Sequence, residues 1–109
     1  IVTQIENLLK DYYNAGQFSE LGPLSLDYLA SHVNFSPNYL SDLLKKETGR
    51  SAKDHINDFI VEKAKNLLLN TEESISEIAY SLGFNYPHYF SRLFKKTTGI
   101  TPHDYRVLN

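Results

Sequence analysis

The feature that most constrains this 109-residue chain is an internal repeat. The segment "SPNYLSDLLKKETG" at residues 36–49 recurs as "NYPHYFSRLFKKTTG" at residues 85–99, with an offset of 50. Upstream of these segments the pairing continues with an offset of 49, so the second copy has one extra residue between its two parts. Two copies are too few for a solenoid. We therefore expect a two-part helical unit that is used twice.

Apolar residues recur at helical spacing along the chain. Residues 3–15 carry a stripe at i, i+3, i+4, i+7 and i+8, which predicts a helix that ends near Gly16. Ser25 and Ser36 stand where N-caps are expected, and Gly49 stands where a helix should end. No segment has the alternating pattern of a strand. The sequence predicts an all-α fold of about seven helices.

Each copy of the repeat has the pattern of a helix-turn-helix. Asn34 and Gly83 lie in the predicted turns, where a left-handed backbone is expected, and Phe35 and Phe84 follow as apolar plugs. We expect three parts within a single domain that covers residues 1–109. They are an N-terminal helix with the first helix-turn-helix (1–50), a long linker helix (51–70) and the second helix-turn-helix (71–109).

The net charge of −2 hides an uneven distribution. Residues 37–53 hold four basic side chains against two acidic ones, and residues 84–109 hold four against one. Residues 1–36 and 54–83 are both net acidic. Local fields steer a ligand more than the total charge does. The two repeated segments are therefore the candidate sites for an anionic partner.

The second helix of each copy has an apolar face and a polar face. The polar side chains lie one turn apart, as a helix in the DNA major groove requires for contact with base edges. In the first copy they are Asn38, Ser41, Asp42 and Lys45, and in the second they are His88, Ser91, Arg92 and Lys95. A polar helix face is usually only a solvated surface, but its duplication together with the turn and the lysine pair favours DNA binding.

Other classes of function find little support. No two of the four histidines have i, i+4 spacing, so we predict no metal site, no cofactor and no enzymatic activity. The chain lacks cysteine, a membrane-spanning apolar run and a signal peptide, and the absence of methionine favours a fragment of a longer protein. The tyrosine-rich stripe of the first helix could form a dimer contact, although packing on the first helix-turn-helix is the commoner outcome.

The segment "SISEIAYSLGFNYPHYFSRLFKKTTGITPHDYR" resembles the C-terminal signature of the AraC/XylS-type transcription regulators. The first copy and "EKAKNLLLNT" match the same domain, so the resemblance covers roughly residues 20–107. The motifs that fall in register are Ile78-Ala79, Gly83-Phe84, Phe90-Ser91, Phe94-Lys95 with Gly99, Thr101-Pro102 and Tyr105-Arg106.

The resemblance implies two helix-turn-helix subdomains that bind double-stranded promoter DNA, as the output half of a cytoplasmic bacterial regulator, usually an activator. It implies RNA polymerase and a sensory domain of the longer parent chain as further partners. We expect the isolated domain to be a monomer, while the parent protein could be a dimer. The base-reading candidates are Asn38, Ser41, Asp42, Asn85, Tyr86, His88, Ser91 and Arg92. The phosphate-contact candidates are Ser36, Tyr39, Lys45, Lys46, Tyr89, Lys95, Lys96 and Arg106.

The sequence departs from the family pattern at two positions. At Ile60 many members have a basic residue, so a backbone contact expected there is in doubt. At Asp42 many members have a longer polar or basic side chain. Because a carboxylate repels phosphate, Asp42 either accepts a hydrogen bond from a cytosine amino group or weakens binding. A helical module that binds a protein partner through the same faces is the rival interpretation.

Overall fold

The computed structural model describes residues 2–14 and 25–109. These residues form seven helices and no strand, which confirms the all-α prediction. In chain order the helices are α1 (Val2–Asn14), α2 (Leu26–His32), α3 (Pro37–Thr48), α4 (Ala52–Asn70), α5 (Ile75–Ser81), α6 (Pro87–Thr98) and α7 (Pro102–Leu108). The predicted end of the first helix near Gly16 lies outside the described residues.

Short polar side chains start most of these helices, because they satisfy backbone N–H groups that have no partner within the helix. The Ser25 hydroxyl accepts from Tyr28 N at 3.2 Å, and α5 begins with a capping box formed by Ser74 and Glu77. In that box Glu77 N donates to Ser74 Oγ at 3.0 Å, and Ser74 N donates to Glu77 Oε1 at 3.1 Å. The helix starts are therefore encoded locally.

The chain leaves α2 and α5 in the same way, although the second turn has one more residue before α6 begins. Asn34 has φ 60° and Gly83 has φ 93°, so both occupy the predicted left-handed conformation. Phe35 N donates to Ala30 O at 3.1 Å, and Phe84 N donates to Ala79 O at 3.0 Å. This hydrogen bond, from the N–H of residue i to the carbonyl of residue i−5, ends the first helix of each pair. It also sets the direction in which the chain continues to the second helix.

The linker helix α4 packs against both helix pairs and joins their cores. Along its 19 residues it buries six apolar side chains, among them Ile60 at 3% exposure and Ala64 at 0%. The Ile60 side chain, which departs from the family pattern, is therefore part of the apolar core of this chain.

Three residues of the predicted stripe of α1 pack inward. Ile5, Leu9 and Tyr12 are 1%, 3% and 2% exposed and belong to the common apolar core. The Tyr12 and Tyr28 rings meet edge to face with centroids 4.9 Å apart. These three side chains are unavailable for a dimer contact. They pack within the domain, which is the commoner of the two outcomes considered from the sequence. The Cα atoms extend 40 × 29 × 21 Å, so the domain is elongated.

Candidate nucleic-acid interface

We call the second helix of each helix-turn-helix its recognition helix. The first of these, α3, has an inward face and an outward face. Leu40 and Leu44 are fully buried, whereas Asn38 and Asp42 are exposed. Ser41 is half-buried at the edge of the outward face. Within the described residues Asp42 has no ion-pair partner. Its carboxylate is therefore open to a ligand that approaches this face.

The second recognition helix, α6, has the same division, with Phe90 and Phe94 at 0% exposure. Asn85, His88 and Arg92 are exposed, and Ser91 is half-buried. The structure thus places the predicted base-reading positions of both copies on outward helix faces or, for Asn85, in the preceding turn.

An exposed aromatic cluster covers the start of α6. Tyr86, His88 and Tyr89 contact one another, with ring centroids 4.2 Å apart for His88 and Tyr89 and 5.9 Å apart for Tyr86 and Tyr89. The Arg92 guanidinium lies 6.0 Å from the centroid of the Tyr89 ring. Such a cation–π contact at an exposed site is worth about 0.5–1 kcal/mol and favours this position of the guanidinium. The cluster was not predicted, although Tyr86, Tyr89 and Arg92 have the i, i+3, i+6 spacing that brings side chains together on a helix.

The two recognition helices start differently. The Ser36 hydroxyl accepts from Tyr39 N at 3.2 Å and caps α3. Tyr86 occupies the same position before α6, where its side chain makes no capping hydrogen bond and is 61% exposed. The Tyr86 ring is therefore exposed to solvent at a position where a small capping residue would stabilise the helix better.

The C-terminal ends of the two helices match closely. Gly49 N donates to Lys45 O and Gly99 N donates to Lys95 O, both at 2.8 Å, and both glycines have positive φ. The exposed lysine pairs therefore have equivalent positions at the ends of α3 and α6. The paired lysines are Lys45, Lys46, Lys95 and Lys96.

Tyr39 and Tyr89 are half exposed, at 54% and 51%. The Tyr39 ring packs against Phe35 with centroids 4.8 Å apart. Each tyrosine therefore combines partial packing with a surface location, and the phosphate contacts expected of both stay predictions.

The Arg106 side chain forms hydrogen bonds within the protein. Its Nε donates to Leu68 O at 2.9 Å, and its second guanidinium nitrogen donates to Thr71 O at 3.4 Å. These bonds satisfy carbonyl groups at the end of α4 and hold α7 against it. Because the guanidinium is half-buried and donates to these two carbonyl groups, a phosphate would compete with them for Arg106, and its phosphate contact stays a prediction.

The histidines occupy separate environments. His32 Nδ1 lies 2.9 Å from Tyr28 O, and His55 Nε2 lies 3.0 Å from the Thr48 hydroxyl. In the described part of the chain no three acidic or histidine side chains are grouped to hold a metal ion. No helix in that part is sufficiently long and apolar to cross a membrane.

Comparisons with known proteins agree with this geometry. Residues 29–107, which include both helix-turn-helix units, match the family described as "Helix-turn-helix domain". The C-terminal domain of AraT, a response regulator from Geobacillus stearothermophilus, has the same fold with a TM-score of 0.79 and 36% identity. That likeness covers 97% of this chain and 85% of the AraT domain. The chain belongs to the AraC/XylS family of transcription regulators. It is a helix-turn-helix DNA-binding domain and not an enzyme.

Full-length relatives place the family match in a larger context. The HTH-type transcriptional regulator YtdP of Bacillus subtilis is 39% identical over 83 residues, which are 76% of this chain and 11% of YtdP. Another regulator of that organism, YobQ, is 36% identical over 83 residues, which are 34% of its length. The chain thus spans about a tenth to a third of these relatives.

One structural relative was solved with nucleic acid. The DNA-binding domain of AdpA, in complex with a target DNA, has a TM-score of 0.76 over 95% of this chain and 90% of its own. Its sequence is 19% identical to this chain, so the likeness concerns the fold.

Proposed function

We propose that this domain binds specific double-stranded DNA sequences by inserting α3 and α6 into adjacent major grooves on one face of the duplex. The observation that carries the proposal is the duplicated recognition helix, whose two copies share a scaffold and expose different polar faces. The presence of target DNA with the AdpA domain of the same fold is consistent with this mode of binding.

The dimensions of the domain fit this arrangement. Major grooves on one face of B-form DNA recur every ~34 Å. The longest extent of the domain is 40 Å, and the 19-residue α4 is about 28 Å long at the usual helical rise. A rigid linker that packs against both units would hold the two recognition helices at a fixed separation.

The outward side chains of α6 suit direct recognition of bases. Arginine can donate two hydrogen bonds to the O6 and N7 atoms of guanine, the commonest specific contact in the major groove. Arg92 is exposed, and its contact with Tyr89 favours one position of its guanidinium. We therefore assign Arg92 to a guanine and expect α6 to supply more of the affinity than α3.

The same face of α3 carries a carboxylate. Asp42 would accept a hydrogen bond from a cytosine amino group and disfavour other approaches of the DNA. The lysine pairs at the ends of α3 and α6, together with Ser36, Tyr39 and Tyr89, would contact phosphates. These contacts set the register of the domain on the duplex without reading its sequence.

We further propose that the domain is the output half of a cytoplasmic bacterial activator. In this proposal a sensory domain elsewhere in the parent chain receives the signal, and the DNA-bound domain contacts RNA polymerase. The isolated domain would act as a monomer, because its internal repeat already supplies two recognition helices. Dimerisation would then depend on the parent protein.

Selection of binding sites from random duplex DNA tests the proposal, followed by affinity measurements on the selected site as a function of salt. A protein that contacts 6–10 phosphates loses about 10³- to 10⁵-fold in affinity between about 50 and 200 mM salt. We expect one enriched bipartite sequence and a steep loss of affinity. No enrichment with a flat salt dependence would favour the rival interpretation, a module that binds a protein partner.

A further inference from the structure

A surface cleft lies between the two helix-turn-helix units, on the flank of α6 that faces the start of α4. It encloses about 570 Å³. Arg50 lines it from the loop after α3, Lys53 from the first turn of α4, and Lys96 from the last turn of α6. Three cationic side chains from three different parts of the fold therefore surround one space.

The charges within the cleft are partly compensated. The Asp54 carboxylate accepts from Ser51 N at 3.4 Å and completes the capping box of α4. Asp58 forms an ion pair with Arg50, with 2.7 Å between the guanidinium and Oδ2. Both partners are about half exposed, at 51% and 45%. Among residues 2–14 and 25–109 no ion pair holds Lys53 or Lys96, so in that part of the chain the cleft has two open cations and one that is paired.

Comparison of the two copies shows that the loop itself does not require Arg50. The equivalent residue after α6 is Ile100, and the backbone contacts are the same. Arg50 N lies 3.2 Å from the Thr48 hydroxyl, and Ile100 N lies 3.3 Å from the Thr98 hydroxyl. The positive side chain of Arg50 therefore has no part in forming the turn.

The position of the cleft points to the ligand. Its walls include the C-terminal turn of α6 and Arg50, the second residue after the end of α3. If these two helices occupy adjacent major grooves, the phosphates between the grooves pass closest to the surface that joins them. We propose that Arg50, Lys53 and Lys96 bind these intervening DNA phosphates, and that Asp58 competes with the phosphates for Arg50. This inference rests on the proposed function, and it extends the phosphate contacts to Arg50 and Lys53.

The substitution Asp58→Asn tests the competition, because it releases Arg50 and removes a negative charge near the phosphates. On the selected DNA site at about 100 mM salt we expect a three- to tenfold gain in affinity. The slope of log K against log salt should steepen by up to about 0.9, the value for one additional phosphate contact. Addition of Arg50→Ala to Asp58→Asn should abolish both changes.

A matched control lies one turn further along α4. Glu62 forms an ion pair with Lys65 at 3.1 Å, so Glu62→Gln also removes one negative charge and one ion pair. Neither residue lines the cleft. We expect Glu62→Gln to change the affinity less than twofold and to leave the salt slope unchanged. Equal effects of Asp58→Asn and Glu62→Gln would overturn the inference, since only net charge would then matter.

A pair of lysine variants tests the cationic wall independently. Lys53→Gln should lower the affinity and make the salt slope shallower by about 0.9. Lys10→Gln removes the same charge from the exposed surface of α1 and should have no such effect. An unchanged slope for Lys53→Gln would contradict the inference alone. A wild-type domain without salt-dependent DNA binding would contradict the proposed function and the inference together.

Discussion

The two helix-turn-helix units share their scaffold and differ in what they expose. Each unit has the same hydrogen bond at its turn, from Phe35 N to Ala30 O or from Phe84 N to Ala79 O. Each also has a glycine with positive φ after its recognition helix. The hydroxyls of Thr48 and Thr98 also donate to equivalent carbonyl groups, at 2.7 and 2.8 Å. The backbone of the unit is therefore preserved, while its outward side chains have diverged.

The divergence is concentrated at the beginning and the middle of the recognition helix. The first unit has the capping Ser36 and the acidic Asp42, whereas the second has the exposed Tyr86 and the cationic Arg92. The second unit thus has no side-chain cap on α6 and presents an aromatic and cationic surface in its place. We infer that the first unit is optimised more for helix stability and the second more for ligand contact.

The largest effect is expected in the aromatic core of the second unit. Phe94 is fully buried, and its ring lies 5.5 Å from that of Tyr105. Phe94→Ala should reduce the free energy of unfolding by about 3–5 kcal/mol, because it leaves a cavity. Phe94→Leu, which copies Leu44 of the first unit, should cost about 1 kcal/mol through loss of the ring contact. Urea denaturation measures the free energy of unfolding of both variants. Equal losses for Phe94→Ala and Phe94→Leu would show that the leucine of the first unit cannot replace the phenylalanine of the second.

The next effect concerns the charge difference between the recognition helices. Arg92→Ala should weaken binding to the selected site by about 1–3 kcal/mol and relax the preference at one guanine. Titration of the cognate site and of single-base variants measures this. A uniform loss on every sequence would instead identify Arg92 as a phosphate contact.

The different helix starts predict different responses to truncation. Ser36→Ala should reduce the free energy of unfolding by about 1 kcal/mol, because Tyr39 N loses its acceptor. Tyr86→Ala removes no capping bond and should change stability by no more than about 0.5 kcal/mol. Thermal or urea unfolding of the two variants compares them directly. A Tyr86→Ala loss equal to that of Ser36→Ala would contradict the contrast between the units.

Removal of the carboxylate of α3 should have a modest effect of opposite sign. Asp42→Ala should relax sequence preference or increase affinity for non-specific DNA, because a charge that repels phosphate is lost. Competition between the selected site and random DNA measures the change. An equal weakening on all DNA would refute the role given to Asp42.

The smallest effect is a pH dependence that arises from Glu77 in the second unit. Hydrogen bonds from the backbone and side chain of Ser74 hold the pKa of Glu77 below its ordinary value. Since the folded pKa is the lower one, the stabilisation is complete above the unfolded pKa and is lost as pH falls through the folded pKa. Wild type should therefore lose stability relative to Glu77→Gln in acid. A difference between them that does not vary with pH would exclude this contribution.

Most of the fold could be predicted from the sequence, because its determinants are local. The caps at Ser25, Ser36 and Ser74 and the left-handed turn residues have strong residue preferences. The apolar periodicity then specified which faces turn inward. The division into recognition helices followed from the repeat, since two copies of one pattern reveal which positions the scaffold requires.

The interactions that could not be predicted are long-range or depend on side-chain direction. The bonds from Arg106 to Leu68 O and Thr71 O join residues more than 30 positions apart, and no local pattern distinguishes them from a solvent-exposed arginine. The pairing of Arg50 with Asp58 depends on the directions of two exposed side chains, one in the loop before α4 and one on α4 itself. The roles of the outward side chains toward DNA stay predictions.

The claim that both recognition helices occupy adjacent major grooves is tested most directly by the spacing of the two halves of the selected DNA site. Half-sites on one face of the duplex should lie about 10–10.5 base pairs apart, so insertion of about five base pairs places them on opposite faces. We predict that the insertion reduces affinity to that of a site with a single half. Unchanged affinity after the insertion would contradict simultaneous binding by α3 and α6.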